Sequence, residues 1–338
     1  MDDWRMPDES EPHKRTWMAF GASGTIWGNK LLSEVRRNLA LIARTIAKYE
    51  PVTLLVREVD YELAKKLIGS ARVELVECEL DDLWMRDTGP VFVVKGDDKK
   101  AAIDFNFNGW GEKQAFNKDA QVAGFITEHA KTESLETELV LEGGGIEVDG
   151  AGTAIISESC VLNANRNPGV SKAKCEAELK RLLGLEKIIW IPGIKGKDIT
   201  DGHTDFYARF ASPGVVIAGY DPDPKSYDHA VTKKNLSVLR SAKDAKGRAL
   251  KVITLTGPER VRKTYENESF AAGYIGFYVC NGAVIAQEFG DPKADKAAKD
   301  ALQKAFPKRE IIQLNVDGIA AGGGSIHCTT QQEPRARA

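Results

Sequence analysis

Glu142-Gly143-Gly144-Gly145, followed by Ile146-Glu147-Val148-Asp149-Gly150-Ala151-Gly152-Thr153-Ala154-Ile155-Ile156-Ser157, reads as a glycine-led polar segment, a strand, a turn and a second strand. The same order recurs along the chain. Gly89-Pro90 precedes Val91 to Phe107, Gly202 precedes Asp205 to Gly219, Gly273 precedes Tyr274 to Phe289, and Gly322-Gly323-Gly324 precedes Ser325 to Thr330. Helical stretches intervene, as at Lys172 to Leu183 and Lys293 to Phe306. Five units of one kind predict radial repetition into a closed ring, not unrelated domains. The expected fold class is α/β, a five-bladed α/β propeller with a pseudo-fivefold repeat, in one domain spanning 1–338.

The N-terminal part carries the alternation an α/β protein requires. Val35, Leu39, Ile42 and Ile46 recur at helical spacing and predict a helix over Ser33 to Lys48, with Ser33 as its cap. Pro51 to Val56 reads as a strand, Tyr61 to Leu67 as a helix and Arg72 to Val76 as a strand. The polar tail after Glu333 is expected to fray.

Composition narrows the function. The 338 residues carry 47 Lys+Arg against 49 Asp+Glu, a formal net charge of −2, which argues against nucleic acid as a partner. Hydrophobic residues at 42% and charged residues at 28% exclude a disordered or collagen-like chain. No apolar run reaches a membrane span's length, and Met1 to Met18 lacks a signal peptide's apolar core. A soluble, cytoplasmic protein is expected. Five scattered cysteines without a C-x-x-C pair suit reduced thiols. Cys78, Cys160, Cys175 and Cys280 sit in apolar runs and are expected to be structural. His13, His129 and His229 are expected at the surface.

Cys328 differs. It follows the Gly322-Gly323-Gly324 turn, where glycine permits close backbone approach to a ligand. If five units close into a ring, their glycine-led segments meet at its axis. These hold Trp84-Met85-Arg86-Asp87-Thr88-Gly89-Pro90, Glu142, Asp201-Gly202-His203-Thr204-Asp205 and Cys328. A thiol, an imidazole and several carboxylates together can run nucleophilic catalysis on a cationic substrate.

On these segments, with Asn163-Ala164-Asn165-Arg166-Asn167-Pro168 and Gly322 to Gln332, the chain resembles the agmatine deiminase and bacterial-type peptidylarginine deiminase family, within the guanidine-modifying pentein superfamily. The resemblance implies the five-bladed propeller, an active site in its central channel, and neither metal nor organic cofactor. It places Cys328 as nucleophile, His203 as general acid/base, and Asp87, Asp205 and Glu142 as active-site carboxylates. Carboxylates matching the planar fork of a guanidinium suit Asp87 and Asp205, while Glu142 suits His203 or a substrate nitrogen. The substrate side is expected to include Trp84, Trp110, Glu112 and Gly324. The partner is a small cationic guanidine, agmatine first and peptidyl or free arginine second, and a homo-oligomer is compatible with the family. The early segment departs from the family's agmatine enzymes, reading Trp17-Met18-Ala19-Phe20-Gly21-Ala22.

Two other readings compete. Asp201-x-His203-x-Asp205 is the D-x-H-x-D pattern of manganese ureohydrolases, but no second acidic cluster accompanies it. A propeller serving only as a binding platform would not need Cys328, His203 and Asp87 together.

Overall fold

The computed structural model describes residues 4–96 and 99–336. Its strands, in chain order, are β1 (His13–Phe20), β2 (Val52–Val56), β3 (Val73–Glu77), β4 (Val91–Lys95), β5 (Lys99–Ile103), β6 (Glu133–Leu135), β7 (Ile146–Val148) and β8 (Thr153–Ser157). They continue as β9 (Lys187–Ile191), β10 (Ala208–Ser212), β11 (Val215–Tyr220), β12 (Lys251–Thr256), β13 (Tyr278–Cys280), β14 (Ala283–Gln287), β15 (Glu310–Leu314) and β16 (Thr330–Pro334).

These strands make five small sheets on one plan. Four have the orders β4-β5-β6, β7-β8-β9, β10-β11-β12 and β13-β14-β15. In each, the first two strands form an antiparallel hairpin and the third lies parallel to the second. A parallel neighbour requires a crossover, and each has a helix to supply it. The helices are Val122–His129, Lys172–Leu183, His229–Ser241 and Pro292–Ala305. The fold is α/β, and the five units expected from the glycine-led hairpins are present.

The fifth sheet shows what linear spacing could not. Its order is β16-β1-β2-β3, so the hairpin partner of the C-terminal strand is the N-terminal strand. β16 pairs antiparallel with β1, β1 lies parallel to β2, and Gly24–Ile46 is the intervening helix. The stretch after Glu333 therefore does not fray where described: Pro334 pairs with His13, and the Arg335 N–H donates to the Pro12 carbonyl at 2.8 Å. Residues 337–338 of that tail lie outside the described residues.

Local sequence explains the helix ends. Ser171 caps Lys172–Leu183 by accepting from the Lys174 N–H at 3.2 Å, and Gly184 at φ 66° ends it in the left-handed region. The first helix differs from expectation. It starts at Gly24, not Ser33, and Gly28 at φ 63°, ψ 163° breaks its regularity. In these early turns Trp27 is held by the Asp82 carboxylate at 2.7 Å and by its ring contact with Trp84. His13, expected at the surface, is buried between Glu50 and the Glu9 carbonyl, at 3.0 and 2.8 Å.

Candidate active site

Four short turns carry the unusual polar residues, each just before the first strand of a sheet. Met85–Thr88 presents Asp87 ahead of β4, Gly143–Gly145 follows Glu142 ahead of β7, Thr204–Phe206 holds Asp205 ahead of β10, and His327–Thr329 holds Cys328 ahead of β16. Equivalent positions in repeated units thus bring distant residues together. Gly144 marks the junction. A methyl on it would lie 2.5 Å from His203 Nδ1, 3.0 Å from Asp87 Oδ1 and 3.1 Å from Asp205 Oδ2.

Each group is held from behind. Asp87 accepts from the Trp110 indole at 3.0 Å and the Gly144 N–H at 3.2 Å, and lies 3.7 Å from His203 Nδ1. His203 Nε2 meets Glu142 Oε2 at 3.0 Å. Arg166 in turn donates to Glu142 at 2.9 Å, to Asp201 at 2.7 Å and to the Thr200 carbonyl at 3.0 Å. Asp205 Oδ2 is 2.7 Å from His327 Nδ1 and 3.9 Å from Cys328 Sγ, while its buried Oδ1 has no hydrogen-bond partner. His327 Nε2 reaches Glu9 Oε2 at 2.8 Å, and Ser325 Oγ lies 3.2 Å from the Cys328 sulfur.

The charge states follow from this packing. Burial, with Asp205 and Asp87 nearby, pushes the Cys328 thiol well above its ordinary range. Burial also pushes the Asp87 carboxyl up to about 6, against the pull of His203. For His203, burial opposes the imidazolium, but Asp87, Cys160 and Glu142 raise its pKa well above the ordinary value. Glu142 and Asp205 both stay below the usual carboxylate range despite burial, through their histidine partners and, for Glu142, Arg166. The site therefore holds a neutral thiol, an imidazolium and several carboxylates.

A cavity of about 180 Å³ opens onto this cluster. Asp87 and Cys328 are on its wall, with Trp84, Trp110, Trp27, Phe206 and the Gly322–Gly324 strip. His203, Asp205 and Glu142 are not among the lining residues; His203 adjoins Asp87, Asp205 adjoins Cys328, and Glu142 adjoins His203. The glycine strip is required by close approach: a methyl on Gly324 would come within 2.2 Å of the Trp84 ring, and one on Gly322 within 2.1 Å of Trp27. Trp84, Trp110 and Gly324 thus lie on the cavity wall. Glu112 does not. It is exposed, at φ 62°, and absent from the cavity wall. Lys113 is also turned aside, bonded to Asp201 at 2.7 Å and to the Ile199 carbonyl at 2.9 Å.

Cys160, expected to be structural, is fully buried but not in a purely apolar setting. Its thiol donates to Glu142 Oε2 at 3.4 Å, beside His203. Ligand-type atoms of Glu142, Cys160 and His203 lie within 4.8 Å of one another. A cation there would face the Arg166 guanidinium already paired with Glu142. The D-x-H-x-D residues form no such cluster among the described residues. Asp201 is spent on Arg166, Lys113 and Asn165. Between the two thiols of the cluster, access discriminates: Cys328 is on the cavity wall, and Cys160 is fully buried outside it.

Sequence reading missed Arg166, His327 and Glu9, though Arg166 and His327 fall in stretches that carry the resemblance. Arg86 was quoted without a role. Buried, it ties Gln331, Gln332 and Glu9 at 2.6, 2.7 and 3.1 Å.

Fold and site together define a class: an α/β protein of five repeated sheets whose loops assemble a thiol, an imidazole and carboxylates against a cavity, the equipment of a cysteine-dependent hydrolase acting on a C–N bond. The chain belongs to the Porphyromonas-type peptidyl-arginine deiminase family, whose model matches residues 5–334. An agmatine deiminase of Pseudomonas aeruginosa (strain LESB58) is 37% identical over 99% of this chain and 97% of its own. Among solved structures, the agmatine deiminase of Enterococcus faecalis superposes with a TM-score of 0.92 at 31% identity, covering 99% of this chain and 97% of that one. A cysteine-to-serine variant of the C. jejuni agmatine deiminase, solved with substrate bound, gives 0.87 at 26% identity over 99% and 97%.

Proposed function

We propose that this protein is an agmatine deiminase, converting agmatine and water to N-carbamoylputrescine and ammonia in putrescine and polyamine biosynthesis. The observation that carries the choice of substrate is the cavity wall, which bears carboxylates and no Lys, Arg or His among the described residues. Agmatine is cationic at both ends. Free arginine or a C-terminal arginine would bring a carboxylate into that wall with no cation to meet it.

The chemistry runs through Cys328. Asp87 and the unpaired Oδ1 of Asp205 accept guanidinium N–H groups and hold the central carbon beside the sulfur. Bound guanidinium offsets the carboxylates that keep the thiol neutral, so the thiol proton leaves to solvent as substrate enters. The thiolate forms an S–C bond at the guanidinium carbon. His203 imidazolium protonates one nitrogen, the C–N bond breaks and ammonia departs, leaving a thiouronium on Cys328. Neutral His203 then takes a proton from water as the C–O bond forms. Collapse breaks the S–C bond, returns the thiolate, and passes the remaining hydroxyl proton to solvent, where ammonia becomes ammonium. Glu142, held by Arg166, keeps His203 oriented and charged.

Single-domain organisation over 1–338, the five sheets as blades of a closed propeller, a cytoplasmic location and assembly into a homo-oligomer belong to the same reading. The β1–β16 pairing and the five-unit sheet plan support the first two. A ureido-product assay on agmatine, free arginine and an arginine peptide tests the assignment. Agmatine should give the highest kcat/KM, and a higher value for peptidyl arginine would transfer the enzyme to protein substrates.

A further inference from the structure

A second carboxylate lines the cavity, and the chemistry at Cys328 does not use it. Asp82 is buried on the wall, five residues before Asp87. Its Oδ1 accepts from the Trp27 indole at 2.7 Å and its Oδ2 from the Gln114 amide at 3.0 Å. The Leu83 N–H and the Trp84 indole also bond it; all four partners are neutral, and Asp82 makes no ion pair with any described residue. The position is tightly fixed: a methyl on Gly21 would strike the Asp82 carbonyl oxygen at 2.0 Å. This is where the chain reads Phe20-Gly21, at its departure from the agmatine enzymes. A buried carboxylate without a cation is costly unless something charged arrives. Burial accordingly pushes the Asp82 carboxyl up to about 6.

The wall also connects the two carboxylates. Trp84 packs over Gly324 near Cys328, and Trp27 over Gly322 beside Asp82. The two rings are neighbours, with centroids 5.7 Å apart. An aliphatic chain lying along this tryptophan pair would carry a cation at its far end away from Cys328 and toward Asp82.

We propose that Asp82, braced by Trp27 and Gln114, receives the primary ammonium of the substrate and makes this a site for guanidinoalkylamines. This deepens the deiminase reading and rests on it. Asp82 sets specificity through a charge-assisted hydrogen bond, a contact whose truncation costs strongly because the partner charge is left buried.

The test compares agmatine with n-butylguanidine, which has the same chain and no amine. In Asp82→Asn the ratio of their kcat/KM values should fall about 100-fold, chiefly through KM for agmatine. Asp82→Glu, which keeps the charge but brings it inward, guards against an Asn variant that does not fold. It should shift preference toward 3-guanidinopropylamine, one carbon shorter than agmatine. A ratio unchanged in Asp82→Asn, or no chain-length shift in Asp82→Glu, overturns the assignment of Asp82 alone. If the wild-type protein releases ammonia from neither agmatine nor n-butylguanidine, the deiminase reading itself fails.

Discussion

At the scale of single residues, burial and pairing set the protonation states that the chemistry must use. Asp87 has a folded pKa of about 6 against an ordinary 3.8. A raised carboxyl opposes folding once it ionises, so Asp87 withdraws stability as pH climbs from about 4 through 6. Asp87→Asn should therefore raise Tm at pH 7 and leave it nearly unchanged at pH 4, while activity collapses because an amide offers donors where the substrate already has donors. A thermal melt at both values with a parallel ammonia assay checks this. In the wild type, kcat/KM for n-butylguanidine should fall below about pH 6 as Asp87 takes up a proton. For kcat the acid limb should lie lower, since bound guanidinium favours the ionised carboxyl. An acid limb that is identical in kcat and kcat/KM would mean that Asp87 does not face the cation.

At the scale of elements, the glycine-led turns do the positioning. Gly144 has room for no side chain, so Gly144→Ala must separate His203, Asp87 and Asp205 by a few tenths of an ångström or more. A misplacement of about 1 Å costs about 100-fold in rate. The variant should keep its fold by circular dichroism and lose kcat by about 10- to 100-fold. Nearly full activity would show that the three groups do not act as one unit. These turns were legible because glycine before a hairpin is a local signal, and Asp87, His203, Asp205 and Cys328 could be picked out inside them. Helix Lys172–Leu183 was legible to its ends because Ser171 and Gly184 punctuate it. Cys160 was not, since an apolar neighbourhood in sequence says nothing about the Glu142 carboxylate that tertiary packing brings to it. Glu112 was misplaced for the opposite reason. Its charge suits an amine, but Trp110 and Gly111 at positive φ turn the segment so that Trp110 and Gln114 reach the cavity instead.

At the scale of the whole molecule, the two ends of the chain hold the site together. Cys328 stands just before β16, and β16 is fixed only by pairing with β1 and by its neighbours. Glu333 in that strand is fully buried, accepts from the Trp17 indole at 3.0 Å, and is paired with Lys100 of the next sheet and with Lys14 at 3.2 Å. Lys14 is about half exposed, so removing Glu333 leaves chiefly the buried Trp17 indole unpaired and costs about 1–3 kcal/mol. Glu333→Ala should lower the urea midpoint accordingly, with activity lost in step with folding, and a Tm within a degree of wild type would contradict the closure argument. This pairing was hidden in the sequence because the last unit shows one strand, and nothing in a linear repeat says that its partner lies more than 300 residues away.

The central claim is that Cys328, and not the neighbouring Cys160, forms the bond to the guanidine carbon. Ammonia release from agmatine by Cys328→Ala and Cys160→Ala, each checked for wild-type circular dichroism, tests it most directly. The account predicts loss of several orders of magnitude in Cys328→Ala and retention of most activity in Cys160→Ala. Turnover surviving in folded Cys328→Ala, or abolished only in Cys160→Ala, would contradict it.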